Sequence, residues 1–531
     1  MRGFNSHLVV RDVMRVLLIG PSDPSKGTYS FMAPPLGIWR ICGFLRSNGI
    51  ECQVFDPNLY DFPNEQLARI LLTLDYQVVG FSMNGLTLHH DLALVHMAKS
   101  FSPSSLLVAG GVEATFNHEL IMSASPVDVI ILGEGEFPLF DICNAAQKGS
   151  GFEGIKGAVV RTLNGPKVTL NRPMCYEEYC HVSSMIPLED IPFEAYWEKL
   201  KKLRGIEPGD IDEQDLREIH SIRLMTLNYC PLKCSFCSYT NFLNVASGKK
   251  GVKAWRLPAE TVLRLVKKAY AAHPEVRTII FQDDLFTFKD DKRLKPLCEG
   301  ILLAKKNGEL GAKIEFICSN RVDTIPTGDL AMMRNAGFRL IGYGIESFSL
   351  RVLKEFNKSI IYNAIEPVIN NTIKAGITPF LNIILSSPES TMDDIVVTLQ
   401  KVFEYQRKGC ETSIYPYVIP FTGAELSGKA AHDSSMVKEV AHIPGEEGSF
   451  TRPTKILPKD DLARDFIEEL ETMVKREAKM VMDELEVTHM PSRMKGLITT
   501  YTAAKIMEKR KIRISFKPED VMSFILERRR N

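Results

Sequence analysis

Three closely spaced cysteines are the residues of this 531-residue chain whose type and spacing most clearly predict chemistry. Cys230, Cys234 and Cys237 lie in the run Asn-Tyr-Cys-Pro-Leu-Lys-Cys-Ser-Phe-Cys. Thiolates at this spacing can face one metal cluster, where they hold three irons of a four-iron, four-sulfur cube and leave the fourth iron open. A structural zinc site would be closed by a fourth Cys or His at short range. None follows Cys237 nearby, and His220 has no second ligand beside it, so the trio predicts a reactive iron–sulfur cluster.

The C-x3-C-x2-C spacing, with the aromatic Phe236 directly before the last cysteine, resembles the hallmark loop of the radical S-adenosylmethionine (SAM) enzymes. In that family the amino and carboxylate groups of SAM chelate the open iron, and an electron from the cluster gives a 5′-deoxyadenosyl radical. The resemblance implies a 4Fe–4S cluster held by the three cysteines and SAM bound near Phe236. It also implies an external electron donor of the flavodoxin or ferredoxin type. Incidental thiols or a degenerate zinc loop are the alternative interpretation.

The overall composition limits the classes to which the chain can belong. Lys plus Arg and Asp plus Glu both number 65, so the formal net charge is zero. This balance gives no electrostatic basis for a nucleic-acid partner or for an anionic membrane. Eleven cysteines without a disulfide rhythm, together with an oxidisable cluster, predict a reducing cytoplasmic location. The first residues lack a signal-peptide pattern, and no stretch is long and apolar enough for a transmembrane segment.

The N-terminal part of the chain alternates short apolar runs with helical patterns, which is typical of a doubly wound parallel sheet. A helix is expected at 37–47. Strands are expected at 16–20, 52–56, 78–82, 106–110 and 129–133. Ligands of such sheets bind beyond the carboxyl ends of the strands. Those ends carry small residues that allow a large ligand to approach the backbone, namely Ser82, Gly110, Gly111 and Gly133.

No G-x-G-x-x-G follows the first strand, so an ordinary dinucleotide-binding fold is unexpected. The segment instead resembles the cobalamin-binding domain that precedes the radical SAM domain in one large subfamily. Its loop 34–37 (Pro-Pro-Leu-Gly), its Gly-Gly pair and its turn 133–136 (Gly-Glu-Gly-Glu) carry the resemblance. No Asp-x-His-x-x-Gly is present, which implies binding without a protein histidine on cobalt. The resemblance implies cobalamin contacts at Ser82, Gly110, Gly111, Gly133 and Glu134. A sheet that kept its fold but lost its cofactor is the alternative.

The middle of the chain again alternates strands and helices. Six strands are expected at 222–226, 278–282, 314–318, 340–344, 380–385 and 413–417. Six parallel strands with intervening helices form a partial barrel, and the cysteine loop follows the first of them, at the C-terminal mouth where α/β barrels keep their chemistry. The resemblance implies the same (β/α)6 partial TIM barrel.

Polar residues follow several of these strands, where the resemblance implies SAM contacts. Asp283 and Asp284 occupy the place of an amino-group motif, although either could instead cap the next helix. Ser319 and Arg321 follow the third strand, at positions of ribose and carboxylate binding. Glu346 stands in a Gly-Ile-Glu-Ser motif after the fourth strand. No residue can be identified from the sequence as an acid or base for the substrate.

Four regions are therefore predicted. They are a cobalamin-binding Rossmann-like domain at 1–148, a connector at 149–219, the radical SAM partial barrel at 220–425, and a mainly helical substrate or capping region at 426–531. Within the last region, 429–454 is expected to be loop-like and 462–485 helical.

The two resemblances together imply one activity above others. A cobalamin-dependent radical SAM methyltransferase would abstract hydrogen from an unactivated carbon of a small-molecule or natural-product substrate. It would then transfer a methyl group to that carbon from methylcobalamin. Oxidative cyclisation or ring rearrangement without methyl transfer is the alternative on the same architecture. A non-catalytic metal scaffold is a third interpretation, which the strand-end motifs disfavour.

Overall fold

The computed structural model describes residues 13–24, 32–207, 209, 211–485 and 492–529. The start of the chain, for which the sequence predicts no signal peptide, lies outside these residues. So does 25–31, part of the loop in which no cobalt-ligating histidine is expected. Within the described residues, none of the helices combines the length and the apolar character needed to cross a membrane.

A seven-stranded sheet organises the first part of the chain, as the apolar runs predict. Its strands are β1 (Arg15–Ile19), β2 (Glu51–Phe55), β3 (Val78–Ser82), β4 (Leu106–Gly110), β5 (Val129–Ile131), β6 (Ala158–Thr162) and β7 (Gly165–Val168). They lie in the order β2-β1-β3-β4-β5-β6-β7, and the first five are parallel. The central strands are buried on both faces, which explains why they read as continuous apolar runs.

Helices cover both faces of this sheet and continue into the connector. They are α1 (Leu36–Ser47), α2 (Pro63–Thr73), α3 (Leu88–Phe101), α4 (Val112–Phe116), α5 (His118–Ala124), α6 (Glu136–Gln147), α7 (Tyr176–Ser184), α8 (Phe193–Arg204) and α9 (Glu213–Ile219). Helix α1 starts directly after Pro35, whose fixed φ suits a helix start. It ends before Gly49, whose φ of +81° favours glycine.

The first sheet extends beyond the boundary predicted at 148. The Asn164-Gly165 hairpin, predicted as part of the connector, adds β6 and β7 to it. Strand β6 pairs antiparallel with β5, and its Ala158 and Val159 are fully buried. Strand β6 pairs there because the edge of β5 would otherwise be left with unpaired backbone N–H and C=O groups.

A second sheet of six parallel strands follows, as predicted for the (β/α)6 partial barrel. Its strands are β8 (Ser221–Leu224), β9 (Thr278–Phe281), β10 (Glu315–Asn320), β11 (Phe338–Glu346), β12 (Thr378–Ile384) and β13 (Glu411–Tyr415). They lie side by side in sequence order. This order brings the carboxyl ends of all six strands to one mouth.

Helices surround this barrel and close its open edge. They are α10 (Phe242–Ser247), α11 (Ala259–Ala272), α12 (Leu294–Lys306), α13 (Leu330–Ala336), α14 (Leu350–Glu355), α15 (Ile365–Lys374), α16 (Met392–Arg407), α17 (Glu425–Ala430), α18 (Asp461–Leu485), α19 (Ser492–Lys509) and α20 (Pro518–Arg529). Short 3-10 helices span Pro57–Leu59, Thr327–Asp329 and Ser359–Ala364. Helix α19 packs so closely on β13 that a Cβ at Gly496 would lie 2.3 Å from the carbonyl oxygen of Thr412.

The prediction that residues 429–454 form a loop is wrong. This region ends α17 and then forms a hairpin of β14 (Met436–His442) and β15 (Ser449–Ile456). Pro453 obscured the strand pattern, because proline cannot donate to a ladder. The structure tolerates it beside the register shift between Val437 and Lys438. The helix expected at 462–485 is present as α18.

Candidate active site between the two sheets

The loop after β8 carries Cys230, Cys234 and Cys237 at the mouth of the barrel. The Cys237 backbone N–H donates to the Cys234 carbonyl oxygen at 3.2 Å, which makes the second half of the loop a turn. Burial raises the pKa of Cys230 to about 12 and that of Cys237 to about 11, and the carboxylate of Asp284 adds to both shifts. The thiols also raise each other's pKa, so the three side chains lie close together.

The donor set of this loop fits a cluster better than a single ion. Among the described residues, no group of three or more His, Cys, Asp or Glu side chains converges on a point where one metal ion could sit. A cube takes each thiolate on a different iron, so its ligands surround the cluster without converging on one atom. Three thiols on one loop without a fourth protein ligand fit a cluster with one open iron, and Cys230, Cys234 and Cys237 would hold it.

Asp283 holds the start of this loop. Its carboxylate accepts the backbone N–H groups of Thr226 at 2.6 Å and of Leu227 at 2.9 Å, and also the Thr226 hydroxyl. The side chain is buried, and it caps no helix, because α12 begins only at Leu294. Asp283 therefore positions the cluster loop, a role that neither of its two sequence-based interpretations included.

The opposite side of the loop is held by the turn after α14. The Asn357 amide donates to the Lys233 carbonyl oxygen at 2.7 Å, and the Ser235 N–H donates to the Phe356 carbonyl oxygen at 3.2 Å. The ring of Phe236 packs edge-on against Phe356, with 5.0 Å between centroids. The aromatic residue of the motif thus anchors the loop to the turn.

Asp284 is the carboxylate that faces the open mouth. It is exposed there, and no hydrogen bond to it is found among the described residues. Protein still surrounds the carboxylate on most sides, so burial and the neighbouring Asp283 raise its pKa to about 6. Asp284, Gln282, Met225 and Tyr239 line a small pocket beside the cluster loop. An ammonium group placed in that pocket would be stabilised by Asp284.

Glu346 forms a buried ion pair at the end of β11. Its Oε1 lies 2.7 Å from the Nζ of Lys358, which also donates to the Gly344 carbonyl oxygen at 2.8 Å. Glu346 has a φ of +64°, a strained value for a residue with a Cβ. The charges of both residues act on Cys234, which places the pair beside the cluster loop. Lys358 was missed from the sequence, because a lysine in a polar stretch gives no sign of burial.

Ser319 and Arg321 lie at the end of β10, as expected. Arg321 binds the Asp323 carboxylate through two of its nitrogens, and its charge acts on Cys234. Ser319 lies close to Gly342 on the next strand, where a Cβ would come within 2.9 Å of the serine hydroxyl. Arg321 therefore reaches the mouth with its charge already balanced.

A large cavity separates the two sheets. About 1250 Å³ of space that no protein atom fills lies between the sheets, part of it open to solvent. The first sheet contributes the five predicted residues Ser82, Gly110, Gly111, Gly133 and Glu134. The barrel contributes Leu224, Met225, Asn228, Tyr239 and Phe242. The strand ends of one unit and the cluster loop of the other thus face one space.

The lining of this cavity fits a large, flat, mostly apolar ligand such as a corrin. Gly110 and Gly111 offer bare backbone, and Gly111 has a φ of +99°. A Cβ at Gly111 would come within 3.0 Å of the Met83 carbonyl oxygen, so a side chain would disturb this wall. Tyr239 and Asn228, which no local pattern had marked, form the opposite wall, and the Tyr239 hydroxyl donates to the Asn228 carbonyl oxygen at 3.0 Å.

Buried charges form one corner of the cavity. Arg40 lies 2.5 Å from Glu136, while Glu134 has no ion pair among the described residues. One carboxylate oxygen of Glu134 and one of Glu136 are buried without a hydrogen-bond partner. Burial raises the pKa of Glu134 to about 7, Arg40 opposes this shift, and Glu136 adds to it.

Glu134→Gln is expected to stabilise the apo-protein at high pH. The folded protein keeps a proton on Glu134 up to about pH 7, whereas the unfolded chain loses it near pH 4.5. Stability therefore falls as pH rises through this window, by up to about 3 kcal/mol above it. Glutamine removes that loss. The thermal midpoint of Glu134→Gln should exceed that of the wild type at about pH 8 and match it at about pH 4. Glu119→Gln, a change at an exposed site of α5, should show no pH-dependent difference.

Two protein-family models match the chain in the order of the two sheets. The B12 binding domain matches residues 26–141, and the Radical SAM superfamily matches residues 224–402. The first range contains every predicted cobalamin contact. The second contains the three cysteines and every predicted SAM contact.

Curated relatives match much of the chain at low identity. A protein of Pyrococcus horikoshii described as an uncharacterized methyltransferase is 24% identical over 393 residues, or 73% of this chain and 77% of that protein. The anaerobic magnesium-protoporphyrin IX monomethyl ester cyclase of Cereibacter sphaeroides is 24% identical over 427 residues, or 77% of this chain and 63% of that protein. A cyclase of the same name from Rubrivivax gelatinosus is 27% identical over 139 residues, a quarter of its length.

Solved structures share the fold over most of the chain. The radical SAM methyltransferase TsrM from Kitasatospora setae, with cobalamin and an iron–sulfur cluster bound, gives a TM-score of 0.62 at 15% identity, covering 82% of this chain and 81% of that one. The cobalamin-dependent SAM radical enzyme OxsB, with aqua-cobalamin and SAM bound, gives 0.66 at 15% identity, covering 98% and 80%. At such identity the likeness concerns the fold, a parallel-sheet domain followed by a partial barrel and C-terminal helices.

Matched domains, their order, the cysteine loop and the shared cavity all agree with one assignment. The chain is an enzyme whose cofactors are a 4Fe–4S cluster, SAM and cobalamin, and it belongs to the cobalamin-dependent radical SAM family.

Proposed function

We propose that the protein transfers a methyl group from methylcobalamin to an unactivated carbon of a small-molecule substrate. One observation carries the proposal. The cluster loop itself, through Asn228 and Tyr239, walls the cavity whose other wall is built from the strand ends of the B12 binding domain. A carbon held between the two walls can be reached from both sides.

The bound groups would supply a 5′-deoxyadenosyl radical for hydrogen abstraction and a methyl group for transfer. The chain positions these groups and excludes water. Cys230, Cys234 and Cys237 hold the cluster. Asp284 would accept the ammonium of SAM, and the Lys358 ammonium beside Glu346 would balance the carboxylate of SAM.

The substrate is proposed to bind where the two pockets meet. Met225 and Tyr239 line both the large cavity and the small pocket that contains Asp284. These two side chains therefore separate the methyl donor from the site of radical formation. The hydrogen bond from the Tyr239 hydroxyl to the Asn228 carbonyl oxygen holds the Tyr239 ring in place between the two pockets.

The named relatives support methyl transfer and also a second candidate. The methyltransferase name of the Pyrococcus relative and of TsrM agrees with the proposal. The cyclase of Cereibacter sphaeroides aligns with 77% of this chain, which favours ring formation without methyl transfer as the second candidate. The two differ in the mass of the product.

The electron donor is proposed to be a flavodoxin- or ferredoxin-type protein in the cytoplasm. Pro231 and Lys233 are exposed on the cluster loop, so an electron can enter from the surface close to the thiols. Free, mostly buried cysteines and a cluster sensitive to oxygen agree with a reducing compartment.

The test uses anaerobically purified protein reconstituted with iron, sulfide and hydroxocobalamin. Mass spectrometry follows 5′-deoxyadenosine and S-adenosylhomocysteine after SAM and reductant are added, with Cys234→Ser as the blank. Both products together with retained cobalamin are expected. The methyl proposal fails if deoxyadenosine forms without S-adenosylhomocysteine. With deuterated SAM and metabolite extracts, a product that gains the labelled methyl identifies a methyltransferase, and a product that loses hydrogen without label identifies a cyclase.

A further inference from the structure

A short segment, residues 422–428, which leads into α17 and includes its first residues, touches both halves of the active site. On the barrel side, the Leu426 N–H donates to the Ser235 carbonyl oxygen at 2.7 Å. Ser235 lies inside the cluster loop, directly after Cys234. Four and three residues before Leu426, Thr422 and Gly423 lie against helix α4 of the B12 binding domain. The segment thus connects the loop that holds the cluster with the wall of the cofactor cavity.

The Gly423 contact leaves no room for a side chain. A Cβ at this position would lie 2.3 Å from Cε1 and 2.4 Å from Cζ of the Phe116 ring, at the end of α4. Gly423 also has a φ of +83°, in the left-handed region. Backbone and ring therefore meet at a distance that only glycine permits.

Thr422 adds a polar contact beside this one. Its hydroxyl lies 3.2 Å from Oε1 of the buried Glu113, and Asn117 donates to both Glu113 and the Thr422 oxygen. Burial raises the pKa of Glu113, and the bonds from Asn117 and Thr422 oppose that shift. Glu113 is also fixed from a third side, because a Cβ at Gly85 would lie 2.6 Å from its Oε2.

The position of Glu113 makes this contact relevant to the cofactor cavity. It lies in the first turn of α4, two residues after Gly111, which lines the cavity, and Gly85 lies in the loop after Ser82. A continuous series of contacts therefore runs from the cluster loop through Leu426, Gly423 and Thr422 to the Gly110–Gly111 turn.

We infer that Thr422 and Gly423, seated on Glu113 and Phe116, are positioning residues that fix the cluster loop relative to the cobalamin cavity. We call these four residues the 422–423 contact. The inference rests on the proposed function only in that both cofactors serve one reaction; the placement itself is a property of the fold. Displacing the contact should misalign the two cofactors and leave each binding site chemically complete.

Gly423→Ala is the direct test, and Gly428→Ala is its matched control. Gly428 lies in the same segment, in α17, and nothing lies within 4 Å of a Cβ built there. Both reconstituted variants should hold wild-type iron and sulfide. The distances between cob(II)alamin and the reduced cluster, measured by pulsed EPR, should broaden in Gly423→Ala and match the wild type in Gly428→Ala. Methylcobalamin should bind roughly tenfold more weakly to Gly423→Ala only.

A second pair of variants tests the contact without a steric clash. Thr422→Val keeps the shape and removes the bond to Glu113, so it should broaden the same distances less than Gly423→Ala. Phe116→Leu in the Gly423→Ala background should restore space and recover part of the wild-type distribution, because an alanine at a φ of +83° keeps its backbone strain. Wild-type distances in both Gly423→Ala and Thr422→Val would overturn the inference. So would a disturbance in Gly423→Ala that Phe116→Leu does not relieve, because the clash would not be its cause. These distances are independent of whether a methyl group is transferred.

Discussion

Cys234→Ser should leave the protein folded but without its cluster, and the formation of 5′-deoxyadenosine should fall below detection. Cys234 is the middle one of the three thiols on the cluster loop. A serine hydroxyl is a harder and far less acidic ligand than a thiol, so a cube held by two thiolates would be lost. Iron and sulfide analysis and the EPR spectrum of the reduced protein measure the effect.

Cys180→Ser provides the matched control for this change. Cys180 lies in α7, which is not part of the cluster loop, and it is partly exposed. It should keep wild-type iron, sulfide and deoxyadenosine formation. Cys234→Ser should still bind cobalamin, because the cavity is lined by other residues of the loop, Asn228 and Tyr239. Full SAM cleavage by Cys234→Ser would contradict the assignment of the three thiols, and stoichiometric zinc in the purified wild type would favour a zinc loop.

The architecture could be predicted from the sequence because its central strands are simple patterns. The runs Val78–Ser82 and Leu106–Gly110 are apolar, short and followed by helices, and the structure has strands at those bounds. The hairpin of β14 and β15 could not be predicted in this way. Its strands expose much of their surface, Pro453 interrupts them, and their pairing depends on packing against the first unit through Ile443.

The residues of the candidate site likewise fall into those that local sequence patterns identify and those that only long-range contacts reveal. Cysteine spacing and paired glycines report local chemistry and local backbone shape, so the cluster loop and the Gly110–Gly111 turn could be named in advance. Asp283 shows what local patterns miss. Its neighbours suggested a SAM contact or a helix cap, but its partners are backbone N–H groups nearly sixty residues earlier in the chain. Arg40 was missed for the same reason, since its partner Glu136 lies 96 residues further along the chain.

Lys358→Met should destabilise the barrel strongly and weaken SAM binding. The pair that Lys358 forms with Glu346 is buried, so its removal leaves a carboxylate without a counter-charge in a low-dielectric site. Breaking such a pair costs about 3–5 kcal/mol. Gly344 would also lose the donor to its carbonyl oxygen. Denaturant unfolding of the apo-protein measures the loss of stability. The dissociation constant for SAM measures the loss of binding.

Two further variants separate charge from packing at this pair. Lys358→Met combined with Glu346→Gln removes both charges, so most of the lost stability should return, since a neutral amide costs less to bury than an unpaired carboxylate. SAM binding should not return with it, because the ammonium that we propose for the SAM carboxylate is still absent. Lys358→Arg keeps the charge but not the compact geometry between Glu346 and Gly344, and should fall between wild type and Lys358→Met. If the double variant were as unstable as Lys358→Met, the lost stability would come from packing around the lysine methylenes. It would then not come from the unpaired carboxylate of Glu346. Equal SAM affinity in wild type and Lys358→Met would remove Lys358 from the binding site and leave it a purely structural partner of the strained Glu346.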